Sequence, residues 1–531
     1  MTRFLAAVEV DQRQRFILEA DKLQEMLGAS RIIGESMHAA EQAVKRHPEV
    51  RLAWRVSGVQ WLLADDLGAL GKCLWEIRQG LLEDLSLSAS FAIVEWEDGT
   101  PFKAATGALE LRMREKKDAK CGEDGSPASP WFAQCRLQPH KPANVWVPDK
   151  KAAIDERRRL VSAEADLRRK KAKAYRAEWK AKFSFSGFYE DPEDFEDFVE
   201  SDADSYIALV KADVDGMGRL LAQLDWDKLA NSLGVDAPAA ALSFSGAVDR
   251  CVRESLAESV NSITETAKKV EQPFPILPIV VAGDDLWVLA RKSKAYAFAL
   301  EMGTQFACKA RDDGTLKAAL EVSGLAGKDL TFSFGILFAK QGYPFDAQLD
   351  LAEELVHSAK KLRRSQTEGC LDFQWLESSG RETVEEARRQ GYEYREAGAG
   401  APTYRLYTRP WTLSDARSMR EAAEALGKAG IARRKLHQLG DILRMGGDLS
   451  LLAIHQWWSR LERSEQSELV KALAMMPEPW KVASAQLAGV EGKLPLGPWR
   501  KNGDAHECAL LELVELAEIL GPAPKAQGAA A

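Results

Sequence analysis

The sequence predicts an α+β fold in which two ferredoxin-like units are joined by a helical connector and followed by a C-terminal α-helical bundle. Apolar runs between residues 206 and 364 follow a β-α-β-β-α-β order, parts of that order recur near the N-terminus, and apolar residues beyond residue 413 recur at helical spacing. With 531 residues, 46% of them hydrophobic, the chain is long enough for about three or four domains with buried cores.

The first unit is predicted over residues 1–103 and the connector over residues 104–200. Charge is segregated in the connector: residues 156–182 hold eleven Lys and Arg against four acids, and residues 190–204 hold nine acids and no base. Solvated helix and linker faces are the favoured interpretation of both runs, and binding of RNA phosphates by the basic run is the alternative.

The second unit is predicted over residues 201–410. A buried strand that starts near Tyr206 ends at Asp213, a strand–turn–strand spans residues 275–290, and another strand spans 329–340. Helices are predicted at 216–230, 238–268, 292–311 and 345–364. The first two strands of such a unit run the same way, so the end of the first strand and the turn of the hairpin lie on one edge of the sheet.

Three aspartate side chains are predicted to lie at that edge. The turn reads Val-Ala-Gly-Asp284-Asp285, and Asp213 reaches the same edge from the first strand. Two strands that each present carboxylates suit a two-metal phosphoryl or nucleotidyl transfer site, because hard oxygen ligands hold Mg²⁺ or Mn²⁺. Asp213, Asp284 and Asp285 are therefore the expected metal ligands and catalytic residues, and an ordinary hairpin turn is the alternative for the Asp pair. Asp215 is left open between a metal ligand and a cap of the following helix.

Segments of the second unit recur in the same order in the first. Residues 5–11 lie over 207–213, residues 56–58 over 281–283, and residues 90–102 over 333–345. This alignment places Val59 and Gln60 opposite Asp284 and Asp285, and Arg13 opposite Asp215. On it the first unit keeps only Asp11, so the second unit is the expected catalytic half. The first is expected to hold a second nucleotide with Ser57 and Gly58 of its turn.

Other features of the chain indicate its remaining domains and its cellular compartment. Residues 411–520 are predicted as the helical bundle and 521–531 as a disordered tail. The cysteines are scattered and seven in number, which indicates a reducing cytoplasm and no disulfide framework. The first residues lack the pattern of a secretory signal, and no apolar run reaches the roughly 18 residues of a membrane span.

The motifs also resemble those of a known family. They are Lys211-Ala-Asp-Val-Asp-Gly-Met-Gly218, Ala282-Gly-Asp-Asp285, Leu330-Thr-Phe-Ser-Phe-Gly335, Ala352-Glu-Glu-Leu-Val-His-Ser-Ala-Lys360, Arg409-Pro-Trp-Thr412 and Leu27-Gly-Ala-Ser30. In this order they resemble the large subunit of type III CRISPR effector complexes, which carries two polymerase/cyclase-like palm domains, and within that family the Cmr-type branch. In these terms the first unit is a degenerate palm and the second a catalytic one.

The resemblance implies a reaction and a set of partners. The reaction is template-free polymerisation of ATP: the 3′-hydroxyl of one ATP attacks the α-phosphate of another, and ring closure gives a cyclic oligoadenylate messenger. The resemblance implies activation when a guide RNA in the assembled complex pairs with target RNA. It also implies contacts with the backbone, small and guide-end-capping subunits of the complex.

Nucleotide contacts are expected beside the metal ligands. The expected contributors are Ala282 and Gly283 in the turn and the backbone groups of Val214 and Gly216. Ser333 is either a contact to a base or a buried core hydroxyl, and the core hydroxyl is favoured. Lys360 is either a triphosphate contact or a solvated lysine on a helix face.

Three departures from the family pattern carry expectations of their own. Ala282 stands where the family turn has glycine, which is acceptable unless that position needs φ > 0. No His-Asp pair is present and the first palm begins within a dozen residues of Met1, so DNA cleavage by an HD nuclease domain is not expected. Cys121, Cys135 and His140 supply three soft ligands and Gln138 replaces a fourth, so the interpretation without zinc is favoured, since structural zinc takes four ligands.

Two other functions compete with ATP polymerisation. One is a catalytically inactive scaffold that uses its palms to hold guide RNA and neighbouring subunits, an alternative that Ala282 keeps open. The other is a free-standing enzyme that resembles a diguanylate cyclase. Adenylate oligomers, no product or cyclic diguanylate would distinguish the three.

Overall fold

The fold contains two sets of four β-strands with the same strand order. The structure, a computed structural model, describes residues 2–119, 131, 133–135, 137–138, 141–148, 158–184, 189–200, 204–264, 272–376, 383–395, 402–478, 480 and 499–521. Helices and sheets are both abundant in this part of the chain, which confirms the predicted α+β class. Cys121, His140 and all but the first residue of the predicted C-terminal tail lie outside the described residues.

The first palm consists of one antiparallel sheet and the helices that cover it. Its elements are β1 (Thr2–Val10), α1 (Arg13–Leu18), α2 (Leu23–Arg46), β2 (Val50–Val56), β3 (Val59–Ala64), α3 (Leu67–Gln79), β4 (Ala89–Glu97) and α4 (Phe102–Asp118). The sheet has the order β2-β3-β1-β4. The central strand β1 buries Leu5, Ala6 and Val8 because it is hydrogen-bonded on both sides and covered by helices.

The connector contributes β5 (Val145–Pro148), β6 (Arg158–Val161) and α5 (Ala163–Lys182). Helix α5 lies along α2, and Gly28 permits this approach, since a Cβ there would come 1.8 Å from the carbonyl oxygen of Arg168. Several basic side chains of α5 are engaged within the chain: Arg168 pairs with Glu19 and Glu164, and Lys171 pairs with Glu35. These pairs account for part of the basic charge, and binding of RNA phosphates stays the alternative prediction for the rest.

The second palm repeats the first and extends it. Its elements are β7 (Tyr206–Val214), α6 (Met217–Gln223), α7 (Trp226–Leu233), α8 (Ala237–Ile263), β8 (Ile276–Ala282), β9 (Asp285–Arg291), α9 (Lys292–Asp312), α10 (Gly314–Val322), β10 (Phe332–Lys340), α11 (Phe345–Arg363) and β11 (Cys370–Trp375). The order β8-β9-β7-β10 matches that of the first palm, and β11 adds to β10 in parallel.

The remaining elements form a helical bundle with a small sheet. They are α12 (Val384–Gly391), β12 (Glu393–Arg395), β13 (Thr403–Arg405), β14 (Trp411–Thr412), α13 (Leu413–Lys428), α14 (Arg433–Leu443), α15 (Gly447–Ser459), α16 (Arg463–Ala474), β15 (Arg500–Asn502), β16 (Ala505–Glu507) and α17 (Leu510–Leu520). Strand β14 pairs with β11, and the sheet β12-β13-β16-β15 joins two distant parts of the chain. No helix among the described residues has the length and apolar character needed to cross a membrane.

An aromatic cluster holds the two palms together. Trp54 of β2 stacks on Trp61, and its ring lies 6.3 Å from Phe244 of α8 and 6.1 Å from Trp226 of α7. Aromatic pairs of this kind add to the free energy gained from burial alone. The cluster fixes the edge of the first palm against the helices of the second.

Close packing of strand β10 under α11 depends on a glycine, which yields a first prediction. A Cβ at Gly335 would lie 2.4 Å from the carbonyl oxygen of Ala352 and 2.8 Å from the Cβ of Leu355. Gly335→Ala is therefore expected to lower the free energy of unfolding by about 1–3 kcal/mol, the usual cost of overpacking a core. Denaturant unfolding measures it. The control is Gly342→Ala, where a Cβ meets nothing within 4 Å, and equal midpoints for the two variants would contradict the expectation.

Candidate active site

The hairpin turn of the second palm is tight and contains two adjacent carboxylates. Ala282 pairs with Asp285 across the hairpin, and Gly283 has φ +66. A positive φ at the first central residue alone is the pattern of a type II′ turn. Ala282 is the last residue of β8, in extended backbone that any residue adopts. The alanine at this position therefore does not strain the turn.

Asp213 meets the turn from the neighbouring strand. It lies directly opposite Asp285 in the antiparallel register of β7 and β9, a placement that brings side chains to the same face of a sheet. The Val214 amide donates to the carbonyl oxygen of Asp284 at 3.2 Å and closes this edge. The structure thus places Asp213, Asp284 and Asp285 at one edge of the sheet.

The electrostatics of this edge are unfavourable without a cation. Burial raises the pKa of the Asp285 carboxyl to about 6. The charge of Lys211 and a hydrogen bond from Trp287 lower this pKa but do not cancel the effect of burial. Burial also raises the pKa of Asp284, and the charge of Asp213 raises it further. Partly buried carboxylates that repel each other are the donor set that a divalent cation stabilises.

Two of these carboxylates have partners in the structure. Asp213 Oδ1 lies 2.7 Å from Lys360 Nζ, and Trp287 Nε1 donates to Asp285 Oδ1 at 2.9 Å. Within the described residues no group of three or more His, Cys, Asp and Glu side chains is close enough to hold a metal ion. The donor chemistry and common edge fit Mg²⁺ or Mn²⁺, and binding would require Asp213 to exchange Lys360 for the cation.

Asp215 has a different role from either of those considered from the sequence. Its carboxylate is buried and accepts hydrogen bonds from Ser333 Oγ at 2.6 Å and Thr331 Oγ1 at 2.7 Å. The residue that caps α6 is Gly216, so Asp215 is not the cap. Because both carboxylate oxygens are engaged, Asp215 fixes β10 against the end of β7 and is left out of the proposed ligand set.

The structure decides two of the candidate nucleotide contacts: it bears out the favoured interpretation of Ser333 and corrects the expectation for Val214. Ser333 is completely buried and donates to Asp215, so it is the core hydroxyl and not a contact to a base. The Val214 amide is taken by Asp284, so it does not face a phosphate. Gly216 is exposed with φ +76, and Lys360 faces Asp213 instead of lying free on its helix.

The first palm has an acid at the position equivalent to Asp213, but it is a different residue from the one that the sequence alignment indicated. Glu9 lies opposite both Val59 and Ser90, as Asp213 lies opposite Asp285 and Ser333. Glu9, and not Asp11, is therefore the counterpart of Asp213. The alignment of residues 5–11 with 207–213 was wrong by two residues.

Asp11 is the counterpart of Asp215. It accepts hydrogen bonds from Ser90 Oγ at 2.6 Å and Ser88 Oγ at 2.8 Å, on the strand that corresponds to β10. Its amide donates to the carbonyl oxygen of Ser88, just as the Asp215 amide donates to that of Thr331. The first palm therefore retains two acids, Glu9 and Asp11, where the sequence predicted one.

A lysine completes the repeat. Lys117 Nζ lies 2.6 Å from Glu9 Oε1, and Lys360 Nζ lies 2.7 Å from Asp213 Oδ1. Each lysine stands at the same distance along the chain from the phenylalanine that begins its helix, Phe102 or Phe345. Extending the match of 90–102 with 333–345 along the helix would have revealed Lys117.

The turns of the two palms differ, and the difference removes the acids from the first. Ser57 and Gly58 both have positive φ, 53 and 75, which is the pattern of a type I′ turn. Val56 pairs with Val59, so Gly58 and Val59 correspond to Asp284 and Asp285. The pairing of Val59 with Asp284 and Gln60 with Asp285 was therefore wrong by one residue, although the first palm does lack both turn acids.

The two turns face each other across a cleft. A Cβ at Gly283 would lie 2.7 Å from Val56 Cγ2 and 3.0 Å from Ser57 Oγ. The cleft beside this contact has a volume of about 1620 Å³ and both palms line it. Its lining includes Glu9, Arg13, Ser57, Gly58, Lys117, Arg253, Ala282, Asp284 and Asp285.

Gln138, the residue predicted to stand in place of a fourth zinc ligand, belongs to a cluster of polar and ionic side chains. Gln138 is buried, donates to Glu19 at 2.9 Å and to Glu164 at 3.2 Å, and accepts from Ser162 Oγ at 2.7 Å. Gln138 thus links this part of the connector to α5 through Glu164 and to the first palm through Glu19. Cys135 is buried beside it.

Comparison with protein families identifies the second palm. Residues 206–367 match the family described as Cas10/Cmr2, second palm domain. Over this segment the match confirms the family resemblance drawn from the motifs: residues 206–367 form a palm domain of the kind found in the large subunit of type III CRISPR complexes. No curated protein sequence matches the chain.

Comparison with solved structures finds distant similarity to Csm1 and to Csm1–Csm4 cassettes. The crystal structure of Csm1 in T. onnurineus shares 14% identity with a TM-score of 0.48 over 98% of this chain and 70% of that one. A Csm1–Csm4 cassette in complex with cA4 shares 15% identity with a TM-score of 0.46 over 98% of this chain and 70% of that one. A cassette in complex with cA3 shares 13% with a TM-score of 0.40 over 70% of this chain and about half, 54%, of that one. Likenesses of this size do not define a site or a function.

Proposed function

We propose that this chain, a large subunit of a type III CRISPR complex, joins ATP molecules into a cyclic oligoadenylate in the cleft between its two palms. The observation that carries the proposal is the meeting of Asp213, Asp284 and Asp285 at a sheet edge that opens on a cleft shared with a second palm. The cleft, about 1620 Å³, exceeds the volume of a single small-molecule site, typically about 300–1,000 Å³. It therefore has room for a donor and an acceptor nucleotide.

The chemistry is a nucleotidyl transfer. The 3′-oxygen of the acceptor ATP forms a bond to the α-phosphorus of the donor, and the α–β phosphoanhydride bond breaks with its electron pair leaving on pyrophosphate. The proton of the 3′-hydroxyl passes to solvent. Asp213, Asp284 and Asp285 would hold Mg²⁺ or Mn²⁺, which neutralises the charge that develops on the phosphates. Lys360, beside Asp213, is placed to pair with the triphosphate when Asp213 is engaged.

The first palm would hold the acceptor nucleotide. Its turn places Ser57 and Gly58 against the catalytic turn, and Lys117 repeats the position of Lys360. Val59 and Gly58 replace the two turn acids, so this palm lacks the ligands to activate a triphosphate itself. An acceptor that is bound but not cleaved is what stepwise polymerisation requires.

The wider setting of the reaction is part of the proposal. Guide RNA paired with target RNA would activate synthesis in the assembled cytoplasmic complex, through states with different affinity for the target. The backbone, small and guide-end-capping subunits would be the protein partners. The Cmr-type branch and the absence of an HD nuclease activity remain predictions from the sequence.

A scaffold without catalysis is the second candidate, favoured by one observation. Asp213 is paired with Lys360 and no metal-binding group of three ligands is formed among the described residues. Incubation of the purified complex with labelled ATP, divalent metal and target RNA separates the candidates. Adenylate oligomers support the proposed function, and their absence at all target concentrations supports the scaffold.

Removal of divalent metal gives a second prediction. Chelation is expected to stop synthesis, and Mg²⁺ or Mn²⁺ to restore it, because an all-oxygen donor set binds hard cations. Zn²⁺, which prefers nitrogen and sulfur ligands, is expected to restore it poorly. Product formation is measured by chromatography of labelled ATP, and synthesis that persists in chelator would contradict the expectation.

A further inference from the structure

Arg13 of the first palm is a charged residue in the cleft, whereas the residue at the equivalent position of the second palm is apolar and buried. Gln12, with φ 42, precedes α1, and Gly216, with φ 76, precedes α6, so the two palms share the same left-handed residue before the helix. The register of Asp11 with Asp215 then makes Arg13 the counterpart of Met217. Met217 is buried in the core, whereas Arg13 lines the cleft.

The Arg13 side chain is held at the contact between the two turns. Its Nη1 donates to the carbonyl oxygen of Ser57, the residue whose hydroxyl would lie 3.0 Å from a Cβ at Gly283. Its charge acts on Asp284 across the cleft, where burial and Asp213 raise the pKa of that carboxyl while Lys360 and Arg13 lower it. A residue of the first palm is thus electrostatically coupled to the catalytic turn of the second.

Arg13 also keeps donors available for a ligand. A guanidinium has five N–H donors in a planar fork, and within the described residues Arg13 makes the bond to Ser57 and a long 3.6 Å ion pair with Glu9. Glu9 is already engaged by Lys117 at 2.6 Å. Two other arginines that line the cleft have closer carboxylate partners than Arg13 has: Arg253 pairs with Asp249 at 2.8 Å, and Arg31 with Glu35 at 3.0 Å.

We propose that Arg13 contacts the phosphates of the nucleoside triphosphate held at the Asp284–Asp285 turn, and so supplies positive charge to the second palm from the first. The inference rests on the proposed function. Negative charge moves to the leaving pyrophosphate as the α–β bond breaks, and a fixed guanidinium stabilises it in a partly buried cleft. The active site is therefore incomplete on the second palm alone.

Equilibrium binding to the full chain tests this without requiring turnover. The probes are a non-hydrolysable ATP analogue and adenosine, both with Mg²⁺. Arg13→Gln keeps a donor for the Ser57 carbonyl but removes the charge, and it is expected to weaken analogue binding by about 10- to 100-fold, with adenosine binding unchanged. Arg13→Lys keeps the charge but lacks the planar set of N–H donors, so its affinity for the analogue is expected to lie between those of wild type and Arg13→Gln. The matched control is Arg112→Ala, which removes an exposed arginine of α4 that pairs with Glu115 and does not line the cleft.

The outcomes separate this inference from the proposed function. Analogue affinity equal to wild type in a normally folded Arg13→Gln overturns it, as does equal loss of analogue and adenosine, which would mean a structural role. If Arg13→Gln does not fold, Arg13→Met decides, because it removes the charge and keeps an unbranched side chain, and analogue affinity of Arg13→Met equal to wild type overturns the inference. A wild-type complex that makes no product, combined with a selective loss of analogue binding in Arg13→Gln, refutes the proposed reaction and supports the contact.

Discussion

Replacement of both Asp284 and Asp285 by alanine is expected to abolish nucleotide product while the chain stays folded and enters its complex. The two carboxylates stand at a turn that opens on the cleft, opposite Asp213, and they supply most of the proposed ligand set. Loss of one preorganised charge-stabilising group costs on the order of 100- to 1,000-fold in rate, and loss of two ligands exceeds this. Labelled ATP and target RNA with the assembled complex give the measurement.

The stability of the same variant provides an independent check, because the substitution is expected to abolish activity without lowering the free energy of unfolding at neutral pH. Burial raises the pKa of Asp285 from 3.8 to about 6, and burial raises that of Asp284. An acid whose folded pKa is raised holds its proton more tightly in the folded chain, so the free energy of unfolding falls as pH rises from about 4 to about 6. At neutral pH the alanine variant is therefore expected to be no less stable than wild type, and the pH dependence over this range is expected to weaken.

Asparagine at both positions separates charge from shape. Asp284→Asn with Asp285→Asn keeps the size of the side chains and an oxygen for Trp287, but removes the charges. Equal loss of product in the alanine and asparagine variants is the expected result. Undiminished product from either variant would remove the catalytic assignment, and loss of complex assembly would mean that these residues serve folding.

The fold could be read from the sequence because each signal was local and strong. The apolar strand that ends at Asp213, the hairpin of β8 and β9, and the long helices α8, α9 and α11 each have an unambiguous period. The small sheet that joins β12 and β13 with β15 and β16 was not predicted. Its strands have three residues each, and the partners in β13 and β16 are about a hundred residues apart in the chain, so no local sequence pattern predicts their pairing.

The register of the repeat was harder to predict than its existence. Side chains in a strand alternate with a period of two, so a shift of two residues leaves the buried and exposed faces of β1 unchanged. The sequence therefore matched Asp11 to Asp213 by identity, whereas pairing with Ser90 and Val59 identifies Glu9 as the counterpart. Glycine identity likewise matched Gly58 to Gly283, although the two turns are of different types.

The roles of the site residues depended on contacts that no spacing reveals. Asp213, Asp284 and Asp285 could be placed together from strand order alone. The engagement of Asp215 by Thr331 and Ser333 could not, because it depends on which way the carboxylate turns at the end of β7. The position of Arg13 at the Ser57 carbonyl depends on how α1 packs against the turn between β2 and β3, a contact between residues 44 positions apart in the chain.

Gly283→Ala is expected to reduce synthesis strongly, and Val56→Ala in the same chain is expected to restore part of it. A Cβ at Gly283 would lie 2.7 Å from Val56 Cγ2 and 3.0 Å from Ser57 Oγ, so the two turns must separate to admit it. A displacement of about 1 Å at a reacting centre costs about 100-fold in rate. Truncation of Val56 removes the nearer of the two atoms and lets the turns approach again.

The positive φ of Gly283 adds a cost that the double variant does not remove, so recovery is expected to be partial. Gly234→Ala, at φ +68 with nothing within 4 Å of the new Cβ, measures that backbone cost alone on the free energy of unfolding, about 1 kcal/mol or somewhat more. Product formation by Gly283→Ala, Val56→Ala and the double variant gives a cycle whose coupling term reports the contact between the turns. Coupling close to zero would show that the turn of the first palm takes no part in synthesis, because a composite site requires the second substitution to compensate the first.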